Sequence, residues 1–285
     1  MRQWTVDAFT DLPFSGNSAC VVEPMERWPE MAWMQALARE NGAGATAFLV
    51  PREEAGSLEI RWFTPQVEVP LCGHATLAAA HVLFAEVGFE GETLRFRSPS
   101  GQLVVRQDGS AYQMNFPAPE ARQIPNPPEL CQALGEVPAE VWAGPYLIAL
   151  FTTPDQVIGL SPNFDMLQVI SSAHGGQGNV GVAALADETA PYEVIDRFFA
   201  PGYGIEEDAA TGSFHCMLAP ILSSRLTRHD IRFRQASPGR GADIRCRVEG
   251  ERVLLTGQAV TVWDSILRVT PHQVSQVPAN CAACT

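Results

Sequence analysis

Two short segments of the sequence place residues that can hold or move a proton next to glycines. The first is Leu71–Thr76, in which His74 directly follows Gly73. The second is Asp208–Ser213, which begins with a carboxylate and contains Gly212. An acid and an imidazole at one site are suited to proton transfer. Because the first turn of a helix has unpaired N–H groups and a glycine leaves them accessible, the pattern also predicts a site for a small carboxylate.

Each of these residues also has a structural explanation. The glycines can serve close packing of a helix against a strand, Asp208 can cap a helix start, and His74 can be an ordinary histidine in a first helical turn. The occurrence of the same arrangement in two places favours a functional explanation. We therefore expect Asp208 and His74 to be catalytic, and Gly73 and Gly212 to bind the carboxylate.

Cys72 offers a different chemistry, because a thiolate can remove a proton from carbon, as thiols do in some racemases. A racemase of that kind needs a second thiol on the opposite segment. The positions expected there are Ala209 and Ala210, and Cys216 lies several residues inside the following helix. A thiol-dependent epimerase that uses Cys72 stays open as an alternative, but the second thiol that it needs is missing from the expected positions.

An internal repeat predicts the elements that position both segments. Arg61–Pro65, with the sequence RWFTP, is echoed 136 residues later by Arg197–Pro201, with the sequence RFFAP. In each case an apolar stretch follows, Leu77–Val87 or Phe214–Leu226, which has the length of a helix of about three turns and a Thr or Ser near its cap position. The chain is therefore expected to contain two similar halves.

Most of the remaining sequence has the alternating pattern of β-strands. Gly101–Phe116 and Ala242–Ala259 alternate about Asp-Gly and Glu-Gly pairs, which predicts two hairpins. Because the helix of each half is apolar on all sides, we expect it to be buried. The predicted fold class is α+β, with two pseudo-symmetric halves that face each other across a cleft. Each half is a barrel-like, mostly antiparallel sheet around a central helix.

The boundaries of these halves follow from composition. The proline-rich segment Pro117–Pro128 is interpreted as the linker between them. The N-terminal half is expected to cover residues 1–117 plus about 260–270, and the C-terminal half residues 118–259. Residues 271–285 are interpreted as a loose tail.

The composition excludes several classes of function. The 285 residues carry a net charge of −13, which argues against nucleic acid or an anionic membrane as a partner. All 19 basic residues are arginine, so neither a lysine Schiff base nor a P-loop lysine is available. The sequence has no apolar run of membrane-spanning length and no histidine spacing typical of a metal site. Because seven scattered cysteines favour reduced thiols, we expect a cytoplasmic protein. We expect no cofactor or metal, because the sequence carries no signature of either.

Several motifs together resemble the PhzF-like phenazine biosynthesis family, which has the diaminopimelate epimerase-like fold. The resemblance runs from Val6 to about Val269. Its main markers, in chain order, are Val6-Asp7-Ala8-Phe9-Thr10, Phe14-Ser15-Gly16-Asn17, Phe63-Thr64-Pro65, Leu71-Cys72-Gly73-His74-Ala75-Thr76, Phe199-Ala200-Pro201, and Glu207-Asp208 with Thr211-Gly212-Ser213.

The resemblance implies a cofactor-independent isomerase that moves a proton on a small compound bearing amino and carboxyl groups. Such a protein usually forms a homodimer with its active site between the two halves. The resemblance also implies that Asp208 holds the amine or hydroxyl of the substrate. The substrate-binding residues that it implies are Asn17, Gly73, His74, Thr211, Gly212 and Ser213.

One stretch departs from the family pattern. Family members resemble one another at Ser-Glu-Thr-x-Phe, whose Glu is the general acid and base, whereas this chain has Gly44-Ala45-Thr46-Ala47-Phe48. Alanine cannot move a proton, and loss of a positioned general base typically costs about 100- to 10,000-fold in rate. The candidates to replace it are Asp208, Glu40 and His74.

Three hypotheses about function result. The leading one is an isomerase of the PhzF type whose proton-transfer groups are altered or reduced. The second is a non-catalytic protein that binds a small molecule in the same cleft, which Ala45 motivates. The third is the epimerase that uses Cys72.

Overall fold

The computed structural model describes residues 1–269 and residue 271. The strands are β1 (Arg2–Ala8), β2 (Asn17–Val22), β3 (Ala45–Pro51), β4 (Ser57–Phe63), β5 (Glu68–Val69), β6 (Thr93–Ser98), β7 (Gly101–Asp108), β8 (Ala111–Pro117), β9 (Arg122–Ile124), β10 (Glu140–Ala143), β11 (Leu147–Leu150), β12 (Val180–Leu185), β13 (Val194–Phe199), β14 (Glu207–Asp208), β15 (Asp230–Gln235), β16 (Ala242–Glu249), β17 (Arg252–Gly257) and β18 (Ala259–Ile266). The helices are α1 (Met31–Asn41), α2 (Gly73–His81), α3 (Pro128–Leu134), α4 (Pro154–Gly159), α5 (Phe164–Ala173) and α6 (Gly212–Leu226).

The two halves repeat one order of strand pairing. In the N-terminal half the neighbours run β18-β1-β2-β3-β4-β6-β7-β8, with β2–β3 and β4–β6 parallel. In the C-terminal half they run β9-β10-β11-β12-β13-β15-β16-β17, with β11–β12 and β13–β15 parallel. Strands β8 and β17 pair with each other and join the halves. The predicted α+β fold with two pseudo-symmetric halves is confirmed, and so are both hairpins.

Helices α2 and α6 are the central helices of the two halves. Every residue from Ala75 to Ala80 on α2 is buried, and so is most of α6. Both helices belong to one hydrophobic cluster that draws residues from both halves. A helix without a polar face gains stability only when sheet surrounds it, since burial removes its apolar surface from water.

The helix starts differ from the prediction. Helix α2 begins at Gly73, four positions before the predicted Leu77, and continues as a π-helical turn over Val82–Glu86. Its N-cap residue is Cys72, and no side chain caps the backbone at the start of either central helix. Thr211 does occupy the N-cap of α6, but its hydroxyl donates to a side chain instead. Small residues allow the first turn of each helix to form without a cap.

The outer surface of the sheet carries the other helices. Helix α1 packs over Phe48 and Phe63, and helices α3 to α5 cover a separate apolar cluster in the C-terminal half. Helices α3 to α5 were not predicted from the sequence. Part of Pro117–Pro128, the segment interpreted as the linker between the halves, is a strand, because β9 lies within it and pairs with β10.

The proposed division into residues 1–117 plus about 260–270 and residues 118–259 stays a prediction. The tail predicted for 271–285 falls, apart from residue 271, outside the described residues. Across residues 1–269 and 271, no helix combines the length and apolar character needed to cross a membrane.

An ion pair recurs at the equivalent position of each half. Arg61 donates from Nε and Nη2 to the carboxylate of Glu68, at 2.6 and 2.7 Å. Arg197 donates in the same way to Glu207, at 3.0 and 2.7 Å. The loop between these partners is three residues longer in the C-terminal half, and it contains a 3₁₀ turn, Pro201–Tyr203.

Candidate active site

The starts of the two central helices face each other. A β-carbon built on Gly73 would lie 3.9 Å from the Cα atom of Gly212. Among the described residues, none of the N–H groups of Gly73, His74, Gly212 and Ser213 donates to another backbone or side-chain group. Two positive helix ends therefore converge at one place, which is an arrangement suited to an anion.

Asp208 lies beside these helix starts, at the end of β14. Its Oδ1 atom accepts a hydrogen bond of 2.6 Å from Nδ2 of Asn17, the first residue of β2. Its Oδ2 atom accepts one of 2.6 Å from the hydroxyl of Thr211. The side chain of Gln235, at the end of β15, donates to the backbone carbonyl of Asp208 at 2.6 Å. The carboxylate is thereby fixed by residues of both halves.

Asn17 also links this carboxylate to His74. Its Nδ2 atom lies 3.3 Å from Nδ1 of His74 and 3.2 Å from the carbonyl oxygen of Ala210. Burial lowers the pKa of His74, and the negative charge of Asp208 opposes that effect in part. The imidazole is therefore neutral near pH 7 and can accept a proton.

Cys72 contacts the same imidazole. Its Sγ atom lies 3.6 and 3.7 Å from the two ring nitrogens of His74. Burial is the main cause that raises the pKa of Cys72 to about 12, and the charge of Asp208 contributes to this rise. The group next to His74 is consequently a thiol at neutral pH.

The positions opposite Cys72 differ from those predicted. Because the loop before β14 is longer, the N-cap residues Cys72 and Thr211 correspond, and the offset between the halves becomes 139 residues. The prediction that Ala209 and Ala210 stand opposite Cys72 is wrong. By the same offset His74 corresponds to Ser213. The residue that corresponds to Cys72 therefore carries a hydroxyl group and not a second thiol.

Ala45 is fully buried at the start of β3, where it pairs with Ala19. Its neighbour Gly44 adjoins the cluster more closely. A β-carbon on Gly44 would lie 3.0 Å from Oδ1 of Asn17 and 3.3 Å from Nε2 of His74. Gly44 thus leaves His74 and Asn17 room that a larger residue would restrict.

Glu40 lies apart from this cluster. It is exposed near the end of α1, and among the described residues no hydrogen bond or ion pair joins it to the cluster. Of the three candidates to replace the missing glutamate, the structure brings together only Asp208 and His74.

Two tyrosines that the sequence analysis missed complete the surroundings. The hydroxyl of Tyr146 lies 2.9 Å from Oγ of Ser213 and 3.0 Å from the hydroxyl of Tyr203. Tyr203 belongs to the 3₁₀ turn in the longer loop. The unequal spacing of the repeat is the sequence signal that points to this loop.

The fold and this placement of helix starts define a class of protein. A probable proline racemase from Agrobacterium radiobacter superposes with a TM-score of 0.57 at 14% identity, covering 96% of this chain and 94% of the racemase. That likeness places the chain in the epimerase-type fold of two facing α+β halves.

The particular family follows from closer matches. The family described as phenazine biosynthesis-like protein, PhzC-PhzF, matches residues 6–265, and the chain belongs to it. An uncharacterized isomerase of Pseudomonas aeruginosa is 40% identical over 272 residues, which cover 93% of this chain and 97% of that protein. Phenazine biosynthesis-like domain-containing protein 1 of Mus musculus is 34% identical over 280 residues, covering 92% and 96%.

A solved structure of the same family agrees with this assignment. The PhzF family protein of Enterococcus faecalis superposes with a TM-score of 0.86 at 36% identity. The match covers 93% of this chain and 99% of that protein.

Proposed function

We propose that the protein is a cofactor-independent isomerase of the PhzF type. In this proposal a small substrate with a carboxylate and an amine binds between the helix starts, and one of its protons moves from one carbon to another. The observation that supports it most is the joining of Asp208, Asn17 and His74 next to two facing helix starts. The proposal takes the family's usual homodimer and a cytoplasmic location as expectations.

The carboxylate of the substrate is assigned to the helix starts. The free N–H groups of Gly73, His74, Gly212 and Ser213 donate to it, and the macrodipoles of α2 and α6 favour its charge. In this arrangement backbone groups and helix dipoles can attract an anion locally, although the chain has a net charge of −13.

The proton transfer is assigned to His74 and Asp208. The neutral imidazole removes a proton from a carbon whose acidity the bound carboxylate and neighbouring double bonds raise. The imidazolium then returns that proton to another carbon, so the reaction is balanced without a co-reactant. Asp208 holds the amine or hydroxyl of the substrate and stabilises the imidazolium.

Because position 45 is alanine, this protein has fewer proton-transfer groups than family members with glutamate at that position. A rate below that of a protein with glutamate there is therefore part of the proposal. The test is incubation of the pure protein with carboxylated amino-dienes and with amino acids in deuterated water. Incorporation of deuterium at carbon, lost by at least about 100-fold in His74→Gln and in Asp208→Asn, supports the proposal. Absence of exchange with every compound contradicts it.

The buried Ala45 specifically favours a second function, a non-catalytic protein that binds a small carboxylate in the same cleft. This alternative expects binding by calorimetry without deuterium incorporation. Binding with no exchange in the wild-type protein, followed by exchange in Ala45→Glu, decides for it.

A further inference from the structure

Three hydroxyl groups form a continuous chain beside the cluster around Asp208. The hydroxyl of Tyr146 stands in the middle, between Ser213 at 2.9 Å and Tyr203 at 3.0 Å. Tyr146 is only 6% exposed, whereas Tyr203 is 49% exposed. This chain of hydroxyl groups therefore connects the first turn of α6 with solvent.

The three linked hydroxyl groups carry three protons, but only two hydrogen bonds join them. Each contact uses one proton, and neither Ser213 nor Tyr203 makes another side-chain hydrogen bond among the described residues. One O–H group at one end is therefore left over. If Tyr203 donates to Tyr146 and Tyr146 donates to Ser213, the free proton is on Ser213. In the opposite orientation it is on Tyr203.

A bound carboxylate selects one of these orientations. A carboxylate only accepts hydrogen bonds, so at the start of α6 it takes the free proton of Ser213. Tyr146 must then donate to Ser213, and Tyr203 must donate to Tyr146. The hydroxyl oxygen of Tyr203 has no proton left to give, and its remaining lone pair can only accept.

We propose that Tyr203 determines ligand specificity: once a carboxylate binds at Ser213, the Tyr203 oxygen accepts a hydrogen bond from an amine or hydroxyl of the same ligand. Asp208 offers a second acceptor for that group. The inference rests on the proposed function, because it takes the carboxylate site at the helix starts as given.

Two observations place Tyr203 where it can do this. Partial burial, the contact with Tyr146 and the nearby charge of Asp208 raise the pKa of Tyr203, so its hydroxyl stays protonated near neutral pH and lies in the field of the cluster. The three extra residues in the loop that carries it have no counterpart between β4 and β5. The repeated fold itself therefore does not require this side chain.

Calorimetry with three matched ligands tests the inference. 3-Phenylpropionate has only the carboxylate, 3-phenyllactate adds a hydroxyl, and phenylalanine adds an amine; propionate, lactate and alanine repeat the series on a smaller skeleton. The wild-type protein is expected to bind the hydroxy and amino acids more tightly than the plain acid. Tyr203→Phe should weaken only those two, by about 3- to 10-fold, because one hydrogen bond is lost.

The other variants separate the parts of the chain. Ser213→Ala should weaken all three ligands by a similar factor, since it removes a contact to the shared carboxylate. Tyr146→Phe should weaken all three ligands and should also reduce the preference for the hydroxy and amino acids. It removes the hydroxyl group that orients those of Ser213 and Tyr203. Tyr192→Phe is the matched control, since Tyr192 packs against the separate apolar cluster of the C-terminal half, and it should leave all affinities unchanged.

Each result has one meaning. Equal weakening of all three ligands by Tyr203→Phe, or no change in their ratios, overturns the specificity role while the carboxylate site stands. Failure of every ligand in both series to bind the wild-type protein overturns the carboxylate site, and this inference with it.

Discussion

Asn17 and Asp208, 191 positions apart in the chain, are joined by a hydrogen bond of 2.6 Å between Nδ2 and Oδ1. Asn17 is the first residue of β2 and Asp208 the last of β14, so the contact crosses from one half to the other. The position of the carboxylate relative to His74 therefore depends on how the halves pack.

Asn17→Ala should weaken both the site and the fold. It removes a hydrogen bond to a carboxylate that is partly withdrawn from water, for which a loss of about 1.5–3 kcal/mol is typical. We expect the free energy of unfolding to fall within that range in urea, and deuterium exchange to fall with it. Asn115→Ala, on the exposed part of β8, is the control. Equal stability of the two variants would contradict the assigned contact.

His74 makes the stability depend on pH in a definite direction. Well above pH 6.5 the residue is neutral in both the folded and the unfolded chain, so it contributes no slope there. Since burial lowers its pKa in the folded chain, the unfolded chain binds a proton first as pH falls below about 6.5. The free energy of unfolding should then decrease.

Urea denaturation between pH 5 and 7.5 checks this dependence (about the range in which a histidine titrates). His74→Gln should reduce the slope below pH 6.5 but not abolish it, because burial also lowers the pKa of His81. An unchanged slope in His74→Gln, with His174→Gln as control, would show that His74 is not the group responsible.

Cys72 should be unreactive and dispensable. With its pKa raised to about 12, only about one thiol in 30,000 is ionised at pH 7.5. We expect iodoacetamide at pH 7.5 to leave exchange intact, and Cys72→Ser to retain it within about threefold, because it removes neither His74 nor Asp208. Mass spectrometry identifies the modified residues, with the half-buried Cys131 as an internal reference. Loss of exchange in Cys72→Ser would support the thiol-dependent epimerase instead.

Ala45→Glu should increase the rate of exchange by about 10-fold or more, because it supplies a general base in addition to His74. Ala45→Gln has the same shape without a transferable proton, and it should give no increase. An equal increase of the exchange rate in both variants would show that the increase comes from packing and not from a general base.

Gly44→Ser should act on the imidazole. Its β-carbon would lie 3.3 Å from Nε2 of His74 and 3.0 Å from Oδ1 of Asn17, which forces a shift of a few tenths of an ångström. We expect a changed imidazole resonance of His74 in NMR spectra of Gly44→Ser, and little change in Gly159→Ser, where a β-carbon meets nothing within 4 Å. Identical His74 resonances in the two variants would contradict the close approach.

The two repeated ion pairs should differ in their contribution to stability. The side chains of Arg197 and Glu207 are 8% and 11% exposed, against 24% and 26% for Arg61 and Glu68. Arg197→Met should cost about 3–5 kcal/mol, because it leaves a carboxylate unpaired away from water. Arg61→Met should cost about 1 kcal/mol or less. Equal losses in urea denaturation would contradict this ranking.

Much of the fold was predictable because the chain repeats itself. The echo of Arg61–Pro65 in Arg197–Pro201 marks equivalent strands, and the apolar character of α2 and α6 marks them as buried helices. From two such halves the meeting of Gly73 with Gly212 follows. Helices α3 to α5 have no counterpart in the repeat, and they were missed for that reason.

The site was predictable only as far as its residues stand at the helix starts. Tyr146 and Tyr203 come from loops with no motif, and their contact with Ser213 depends on how those loops fold. The correspondence of Cys72 with Thr211 was missed because three inserted residues shift the register. Glu40 is exposed near the end of α1, away from the cluster.

The asymmetry between the two facing helix starts has a stereochemical consequence. The second residue of α2 is His74, but the corresponding residue of α6 is Ser213, and the position corresponding to Asp208 is Val69. In the proposed reaction, a carbon held between the helices would meet the base His74 on one face only. The proton that His74 takes would then return to that same face, so the proposed reaction would relocate hydrogen without inverting a stereocentre.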